Sequence, residues 1–265
     1  MITLNMIGGG CQHEVCTSAH NIPKHVMWNK TTHASNISVH IDDGIFQITP
    51  NKSKLNIAWF NESPYFTYPY AENLDKWEDY IRENFKFVFT CDKRILKKYP
   101  YVKYVIPSAC PWVKDRQIFP KTKTVSIIAS SKRDAPGHQF RHIVIETFKE
   151  HLDVFGGGYN PIPEKGIGLN DYMFSFAIEN INVDGYFTEK ITDCFATGTI
   201  PVYWGDPTIS HHFLEEGIVR INDDFDILSL TKDLYMSKLT FVQENFRRAM
   251  EFPCSEDYMY LTYLK

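Results

Sequence analysis

The sequence lacks the features that mark secreted, membrane-spanning and nucleic-acid-binding proteins. The chain does not open with a basic region followed by an apolar run, so we expect no signal peptide. No window approaches the roughly 18 apolar residues of a membrane span. The net charge is −4 and no basic stripe is present, which argues against nucleic acid as a partner. We therefore expect a soluble protein whose anionic ligands, if any, bind at a locally built site.

Cysteine spacing also excludes the common metal and disulfide frameworks. The six cysteines are scattered and form no CxxC pair: Cys11, Cys16, Cys91, Cys110, Cys194 and Cys254. We interpret them as reduced thiols or buried small apolar residues. Asp42-Asp43 lacks the spacing of a DxD motif and is predicted to form a turn. The sequence therefore predicts no metal site.

The composition is that of an ordinary globular protein. Of the 265 residues, 43% are hydrophobic and 23% are charged, which suits one large domain or two small ones. Strand and helix patterns alternate and favour parallel sheets covered by helices. A proline-containing stretch at residues 107–123 is the predicted linker. We predict an α/β fold with an N-terminal domain over residues 1–120 and a C-terminal domain over residues 121–265, whose last helices can pack back on the first domain.

Apolar patterning predicts the individual elements. Helical spacing covers residues 72–84, 137–151 and 189–197, and the tail from residue 225 is mostly helical. Apolar runs predict strands over residues 2–7, 36–41, 45–48, 56–60, 85–90, 101–107, 124–129, 152–155, 173–178, 199–204 and 218–221. Several predicted helices follow directly on strands, so ligands are expected at the carboxyl ends of the strands.

Residues 174–205 carry the clearest chemical signal. A strand ends at Glu179-Asn180, Thr188 lies where an N-cap belongs, and Glu189 and Lys190 fall in the first helical turn. A helix N-terminus with an added lysine is suited to a nucleotide diphosphate, and Glu189 to ribose hydroxyls. The alternative is structural: glutamate complements a helix dipole and a neighbouring lysine is often solvent-exposed.

The same segment resembles the signature of the α-1,3-fucosyltransferases, glycosyltransferase family 10. The matching pieces are Glu179-Asn180, the run from Tyr186 to Lys190, and Ile-Pro-Val-Tyr-Trp-Gly at residues 200–205. Phe187 and Ala177-Ile178 are mild departures. The resemblance implies a GT-B architecture, in which two Rossmann-like domains face a cleft and the C-terminal domain holds GDP-fucose.

A weaker resemblance upstream adds two features to the donor site. Residues 126–141 are similar to the family's strand, loop and helix that carry a phosphate-binding arginine, which matches Arg141, with Lys132 and Arg133 as alternatives. The glycine turn at residues 156–158 resembles the family's glycine turn. The donor-binding residues that the resemblance implies are Arg141, Gly157, Asn180, Tyr186, Thr188, Glu189 and Lys190.

The family mechanism implies inversion at the anomeric carbon and a carboxylate base from the N-terminal domain. Glu62, which follows a predicted strand, is our candidate for the catalytic base, and Asp43 and Glu72 are lesser candidates. With arginine, lysine and a helix N-terminus at the diphosphate, no metal or other cofactor is required. The expected partners are GDP-fucose and a glycan acceptor.

Three alternatives stay open at this point. The scaffold can use another nucleotide sugar, it can be a non-catalytic nucleotide- or glycan-binding module, or it can be a plain structural α/β domain. The absence of an anchor favours a cytoplasmic bacterial or viral enzyme that takes part in glycan biosynthesis or protein glycosylation.

Overall fold

The computed structural model describes residues 1–8, 15–30, 35–47, 54–67 and 74–265. It divides into two compact units, Met1–Ser108 with Pro253–Lys265, and Ala109–Phe252. Residues 109–120 thus group with the second unit and residues 253–265 with the first, while the domain division at residue 120 stays a prediction. Glu72 and Cys11 lie outside the described residues.

The first unit contains a six-stranded sheet whose pairings are all parallel. Its order is β2-β1-β3-β4-β5-β6. The strands are β1 (Ile2–Ile7), β2 (Val26–Asn29), β3 (Ile37–Ile41), β4 (Leu55–Phe60), β5 (Phe87–Thr90) and β6 (Val102–Tyr104). The helices are α1 (Leu74–Asn84) and α2 (Lys93–Lys98), with a helical turn at residues 64–67. The unit also includes α7 (Ser255–Met259) and a terminal π-helical turn (Tyr260–Leu264).

Two features of this unit differ from the sequence predictions. The predicted strand at residues 45–48 is wrong for its described part, because Asp42–Phe46 forms a 3₁₀ helix. Gly44 packs there against the end of β1, and a Cβ on it would lie 2.3 Å from the Ile7 carbonyl oxygen. Strand β2 was not predicted, since it has only four residues and alternates buried and exposed side chains over one repeat.

The second unit contains a five-stranded sheet, also parallel in every pairing. Its order is β11-β10-β9-β7-β8. The strands are β7 (Lys123–Ile128), β8 (Asp153–Phe155), β9 (Tyr172–Ile178), β10 (Ile200–Trp204) and β11 (Val219–Arg220). The helices are α3 (Pro136–Phe148), α4 (Glu189–Ala196), α5 (Lys232–Ser237) and α6 (Leu239–Glu251). All seven residues of β9 are buried, as is typical of a central strand covered on both faces.

Two apolar layers cover this sheet. Phe174 and Phe176 of β9 pack in the layer that includes Val144 of α3, whereas Ala177 packs in the layer that includes Phe195 of α4. Alternate residues of one strand therefore reach opposite layers, which hold α3 and α4 on the two faces. The two parallel-sheet units confirm the predicted α/β class. Within the described ranges, no helix is long and apolar enough to cross a membrane.

Candidate functional site

The strand order of the second unit indicates where a ligand binds. Chain connections from β7 run to β8 on one side and, later, to β9 on the other. In doubly wound sheets a crevice opens at such a reversal, beyond the carboxyl ends of the strands. Here the reversal lies between β7 and β9, so the segment before α3 and Glu179-Asn180 after β9 border the expected crevice.

Glu179 joins the end of β9 to the start of α4. Its side chain is fully buried, and Oε1 accepts a hydrogen bond from the Thr188 backbone N–H at 2.8 Å. Oε2 accepts from the Thr188 hydroxyl at 2.8 Å and from Lys190 Nζ at 3.2 Å. This one carboxylate therefore fixes the loop that presents the N-terminus of α4.

Thr188 is the N-cap residue of α4, as predicted, but its side chain makes no cap hydrogen bond. Its hydroxyl instead donates to Glu179 and accepts from Lys190 Nζ at 2.8 Å. The first turn of α4 thus keeps backbone N–H groups that the Thr188 side chain does not cap, which is the arrangement that anions use at helix N-termini.

Glu189 takes part in a second ionic cluster on the same helix. Lys165, in the 3₁₀ helix Lys165–Gly168, places Nζ 2.8 Å from both Glu189 Oε1 and Asp193 Oδ2. Burial opposes ionisation of Glu189, but Lys165 and Lys190 outweigh it and lower its pKa to about 2. Glu189 is therefore a stable carboxylate, already paired with a lysine before any ribose is bound.

The Asp193 carboxylate organises the start of the second unit. Oδ1 accepts from the backbone N–H groups of Trp112 and Val113 at 2.5 and 2.9 Å. Lys165 Nζ also lies 4.8 Å from the centre of the Trp112 ring. The cluster therefore ties α4 to residues 112–113 near the start of the second unit.

Arg141 of α3 lies against the end of β9, and only 6% of its surface is exposed. Nε and Nη2 donate to the Ile178 carbonyl at 3.0 and 2.7 Å, and Nη2 also donates to Asn180 Oδ1 at 2.8 Å. These bonds use the Nε and Nη2 hydrogens, so the two Nη1 hydrogens are the ones that a ligand would engage. Lys132 and Arg133, the alternatives to Arg141, are exposed.

Gly137 explains how α3 comes so close to β9. A Cβ at this position would lie 1.7 Å from the Glu179 carbonyl oxygen, so no other residue fits without moving the backbone. The Gly137 N–H donates to the Asn180 carbonyl at 2.9 Å. Pro136, at the first helical position, is compatible with this start because its missing N–H is not needed there.

Opposite charges balance within the site. The cations are Arg141, Lys165 and Lys190, and the carboxylates are Glu179, Glu189 and Asp193. A diphosphate would therefore be held by backbone N–H groups and short-range donors more than by an excess of local positive charge.

A small cavity lies beneath this cluster. Its volume is about 100 Å³, and Lys165, Glu189, Lys190 and Asp193 contribute to its lining. Since one water occupies roughly 30 Å³ of liquid, the cavity has room for a few waters and not for a nucleotide. A nucleotide would have to bind outside it, on the crevice side.

The predicted glycine turn follows β8. Gly156 and Gly158 adopt φ values of +106° and +98°, which few other residues tolerate. Gly157, the predicted donor-binding residue, is exposed, and a Cβ added to it would meet no atom within 4 Å. The positive φ angles that require glycine are therefore at Gly156 and Gly158, whereas the backbone of Gly157 is accessible to a ligand.

Tyr186, the remaining predicted donor-binding residue, is 3% exposed, and it precedes the core residue Phe187. Gly185 before it donates its N–H to Asp206 Oδ1 at 2.9 Å. Asp206 also accepts from the Thr208 N–H and hydroxyl at 2.7 Å each. Tyr186 therefore lies in a buried, hydrogen-bonded stretch of the loop after β9.

In the first unit, the predicted base Glu62 follows β4 and is exposed. Its backbone N–H lies 3.2 and 3.3 Å from the two Asp42 carboxylate oxygens, and the Asn61 N–H donates to Oδ1 at 2.8 Å. Asp42 follows β3, the strand next to β4, with a φ of +48°. Asp43, the lesser candidate, is exposed beside it.

The Asp42 carboxyl has an unusual acidity. Burial raises its pKa to about 6, helped by the nearby charges of Glu62 and Asp43 and opposed by the two backbone hydrogen bonds. A pKa near the working pH is typical of a general base. Sequence reasoning missed this residue because Asp-Asp-Gly indicates a turn, and the burial of one carboxylate is not visible in a local pattern.

The family model described as glycosyltransferase family 10 (fucosyltransferase), C-terminal part, matches residues 118–252. That is half of the chain and contains every predicted donor-binding residue. The chain belongs to glycosyltransferase family 10. The predicted resemblance is thereby confirmed.

Individual relatives of this family 10 protein match shorter stretches. It is 32% identical to an α-(1,3)-fucosyltransferase of Helicobacter pylori over 124 residues, which are 44% of this chain and 25% of that protein. It is 26% identical over 157 residues to a protein of Acanthamoeba polyphaga mimivirus named as a "putative fucosyltransferase", covering 57% of this chain and 26% of the other. The matched part thus spans about a quarter of each relative.

Solved structures resemble the family 10 chain more distantly. One is an α1,3-fucosyltransferase with GDP-fucose, at 20% identity and a TM-score of 0.47, covering 85% of this chain and 79% of that one. Another is an α1,3-fucosyltransferase with GDP, at 16% identity and a TM-score of 0.48, covering 97% and 92%.

The geometry of the family 10 segment adds residues to those predicted from the sequence. Glu179 was recognised as part of the motif but not as the acceptor of three hydrogen bonds. Lys165 and Asp193 were missed because their pairing joins a loop to a helix, which no sequence spacing indicates. Gly137 was also missed, although Pro-Gly at a helix start is a visible signal.

Proposed function

We propose that the chain is an inverting glycosyltransferase that moves fucose from GDP-fucose to a hydroxyl of a glycan acceptor, in α-1,3 linkage. The observation that carries this proposal is the Glu179–Thr188–Lys190 network at the start of α4, beside Arg141, within the family-matched segment. The similarity to the α-(1,3)-fucosyltransferase of Helicobacter pylori supports fucose as the transferred sugar and α-1,3 as the linkage.

The donor is assigned to the second unit. The diphosphate would accept hydrogen bonds from the first-turn N–H groups of α4, from Lys190 and from Nη1 of Arg141. Asn180, Thr188 and Glu179 hold these donors in place. Gly157 and Tyr186 are proposed to contact the nucleotide, and Glu189 the ribose. Preorganised donors of this kind stabilise charge that develops on a leaving group without reorganising during the reaction.

The chemical step is a single displacement. The acceptor hydroxyl loses its proton to a carboxylate, its oxygen bonds to the anomeric carbon on one face, and the bond to the diphosphate breaks on the other. The electron pair leaves with GDP, and the configuration inverts. We assign the base role to Glu62, with Asp42 as the second candidate because its raised pKa suits proton transfer at neutral pH.

This step is proposed to need no divalent metal. The two cationic side chains and the helix N-terminus supply the positive charge that a metal supplies in other transferases. Turnover from GDP-fucose should therefore be unchanged when EDTA replaces Mg²⁺ or Mn²⁺. The assay should be completed before the protein unfolds, and circular dichroism monitors the folded state.

Thermal melting with GDP, UDP, ADP and CMP tests the donor assignment. GDP alone should raise the melting temperature, because a ligand at 100 times its Kd stabilises the folded state by about 2.7 kcal/mol. A shift with UDP and not GDP would overturn the fucose assignment in favour of another nucleotide sugar.

Transfer from GDP-fucose to an oligosaccharide panel then tests for an enzyme. Formation of fucosylated product with inverted configuration supports the proposal, and product linkage follows from NMR. GDP binding without transfer or donor hydrolysis would instead identify a non-catalytic binding module.

A further inference from the structure

Within the first unit, a buried cluster brings together residues that are far apart in the sequence. Cys16, Cys254 and Glu256 bring two thiol sulfurs and a carboxylate oxygen within 4.8 Å of one another. Glu256 and Cys16 are fully buried, and Cys254 is 8% exposed. The cluster lies far along the chain from Thr188 and Lys190 and has no part in the proposed reaction.

Of the two Glu256 carboxylate oxygens, one has hydrogen-bond donors and the other has none among the residues that the structure describes. Glu256 Oε1 accepts from the Thr17 N–H at 2.6 Å and from Trp28 Nε1 at 3.0 Å. Oε2 is buried and, among the described residues, meets no hydrogen-bond donor. Leaving a carboxylate oxygen buried and unsatisfied is costly, so a partner of positive charge is expected there.

Three hydroxyl groups near these ligands in sequence also lack a hydrogen-bond partner among the described residues. Within the described part of the chain, the hydroxyl oxygens of Thr17, Ser18 and Ser255 are likewise buried without a partner. Thr17 and Ser255 are next in sequence to candidate ligands, and Ser18 is two residues from Cys16. Buried oxygens without a partner indicate an absent polar occupant, and a water on a metal ion would hydrogen-bond to such hydroxyls within its reach.

The donor set identifies the kind of occupant. Two thiolates and a carboxylate suit a thiophilic divalent cation, and Zn²⁺ accepts this mixture of sulfur and oxygen in tetrahedral sites. The Ser18 N–H donates to Cys16 Sγ at 3.2 Å. Cys16 Sγ as a thiol donates to the Ser18 carbonyl at 2.9 Å, a bond that metal binding would replace.

We propose that Cys16, Cys254 and Glu256 bind one structural Zn²⁺ that fastens residues 254–256 to the N-terminal part of the first unit, with a water as fourth ligand. Binding forms two Zn–S bonds and a Zn–O bond to Glu256, keeps one water of the hydrated ion as the fourth ligand, and releases the two thiol protons and the other waters, with no change of oxidation state. Affinity should therefore fall as the pH is lowered.

The experiment uses the full chain purified with a reductant. We expect about one zinc per chain by elemental analysis, and a lower melting temperature after chelation, since zinc binding is coupled to folding. Replacement with Co²⁺ should give the sulfur-to-metal charge-transfer absorption of a two-thiolate site. Glu256→Gln keeps an oxygen that can accept from Thr17 and Trp28 but removes the charge, and should weaken Co²⁺ binding by more than about 10-fold.

Cys16→Ser should remove one thiolate and its share of the charge-transfer absorption. Cys91→Ser is the matched control, since it removes another buried thiol of the same unit, and it should keep both the metal and the spectrum. If Cys16→Ser does not fold, the wild-type Co²⁺ spectrum and zinc content decide alone. No bound zinc with no Co²⁺ spectrum, or a Cys16–Cys254 disulfide found by mass spectrometry under non-reducing conditions, would overturn the proposal.

Discussion

At the residue scale, the side chain with the most direct proposed role is Glu62. It is exposed, and Asp42 accepts a hydrogen bond from its backbone N–H. Glu62→Gln should lower kcat by about 100-fold or more, the size expected for loss of general-base catalysis, and leave GDP affinity unchanged. Product formation and GDP titration measure the two effects. Near-normal kcat would remove Glu62 from the role and transfer it to Asp42.

The raised pKa of Asp42 lowers the stability of the folded protein at neutral pH. Its pKa of about 6 lies above the ordinary 3.8, so the folded protein binds this proton more tightly than the unfolded chain does. The stabilising effect is complete below about pH 4 and is lost as the pH rises through 6. Because Oδ1 of an asparagine can still accept both N–H groups and asparagine tolerates positive φ, Asp42→Asn should be more stable than wild type at pH 7 by about 1–2 kcal/mol.

Urea unfolding at pH 4 and pH 7 checks this prediction. The two proteins should be nearly equal at pH 4, and Asp43→Asn, which changes the exposed neighbour, should follow the wild type at both values. If Asp42→Asn were less stable than the wild type at pH 7, the ionised Asp42 carboxylate would not be destabilising and the prediction would be wrong.

Arg141 and Arg133 compete for the phosphate role, and one substitution separates them. The Arg141 guanidinium is planar and makes three hydrogen bonds, whereas a lysine at this position offers a single point charge. GDP affinity should therefore fall by about 10–100-fold in Arg141→Lys. Arg133→Lys, at an exposed loop position, should change it little. Isothermal titration with GDP measures both. The opposite ranking would place the phosphate at the loop.

At the element scale, α4 depends on a charge supplied by another element. Glu179 of the β9 end is fully buried and holds Thr188 and Lys190, whose side chain is partly exposed. Glu179→Gln removes the nearer of the two carboxylates beside Lys190, the other being Glu189 at 3.9 Å, and the glutamine cannot accept all three hydrogen bonds. We expect a loss of about 3–5 kcal/mol in the free energy of unfolding.

A matched control lies on α1. Glu78 and Arg82 form an exposed bridge at 2.7 Å, and Glu78→Gln should cost no more than about 0.5 kcal/mol. Urea denaturation of both variants provides the comparison. Equal small losses would show that the Glu179 network contributes little to stability.

Sequence patterns predicted elements well where one signal is local. The start of α4 at Glu189 and the strand before Glu179 follow from capping and apolar runs. Sequence patterns failed where the deciding contact is distant in sequence. Gly44 packs against the end of β1, and residues 42–46 form a 3₁₀ helix where a strand was predicted. Likewise, the motif indicated Lys190 as a cation, but the ionic partner Lys165 of Glu189 could be found only in the fold.

At the scale of the whole molecule, the family match and the second compact unit both end at residue 252. Residues 253–265 belong to the first unit instead. The reason lies in the buried contacts of two acidic residues. Glu256 accepts from Thr17 and Trp28, and the Asp257 carboxylate accepts from the backbone N–H groups of residues 24 and 25 at 2.8 and 2.9 Å.

Deleting residues 253–265 should therefore unfold the first unit, although those residues lie beyond the family match. Four donors would lose their acceptors, each at about 1–3 kcal/mol where it stays buried, and that sum is comparable with the whole stability of a domain. Hydrogen exchange should show protection lost in β1, β2 and β3 and retained in β7 and β9. Deletion of the exposed Lys265 alone should leave protection unchanged in every strand. Full protection of β1 and β2 in the longer deletion would mean that residues 253–265 are not needed for the stability of the first unit.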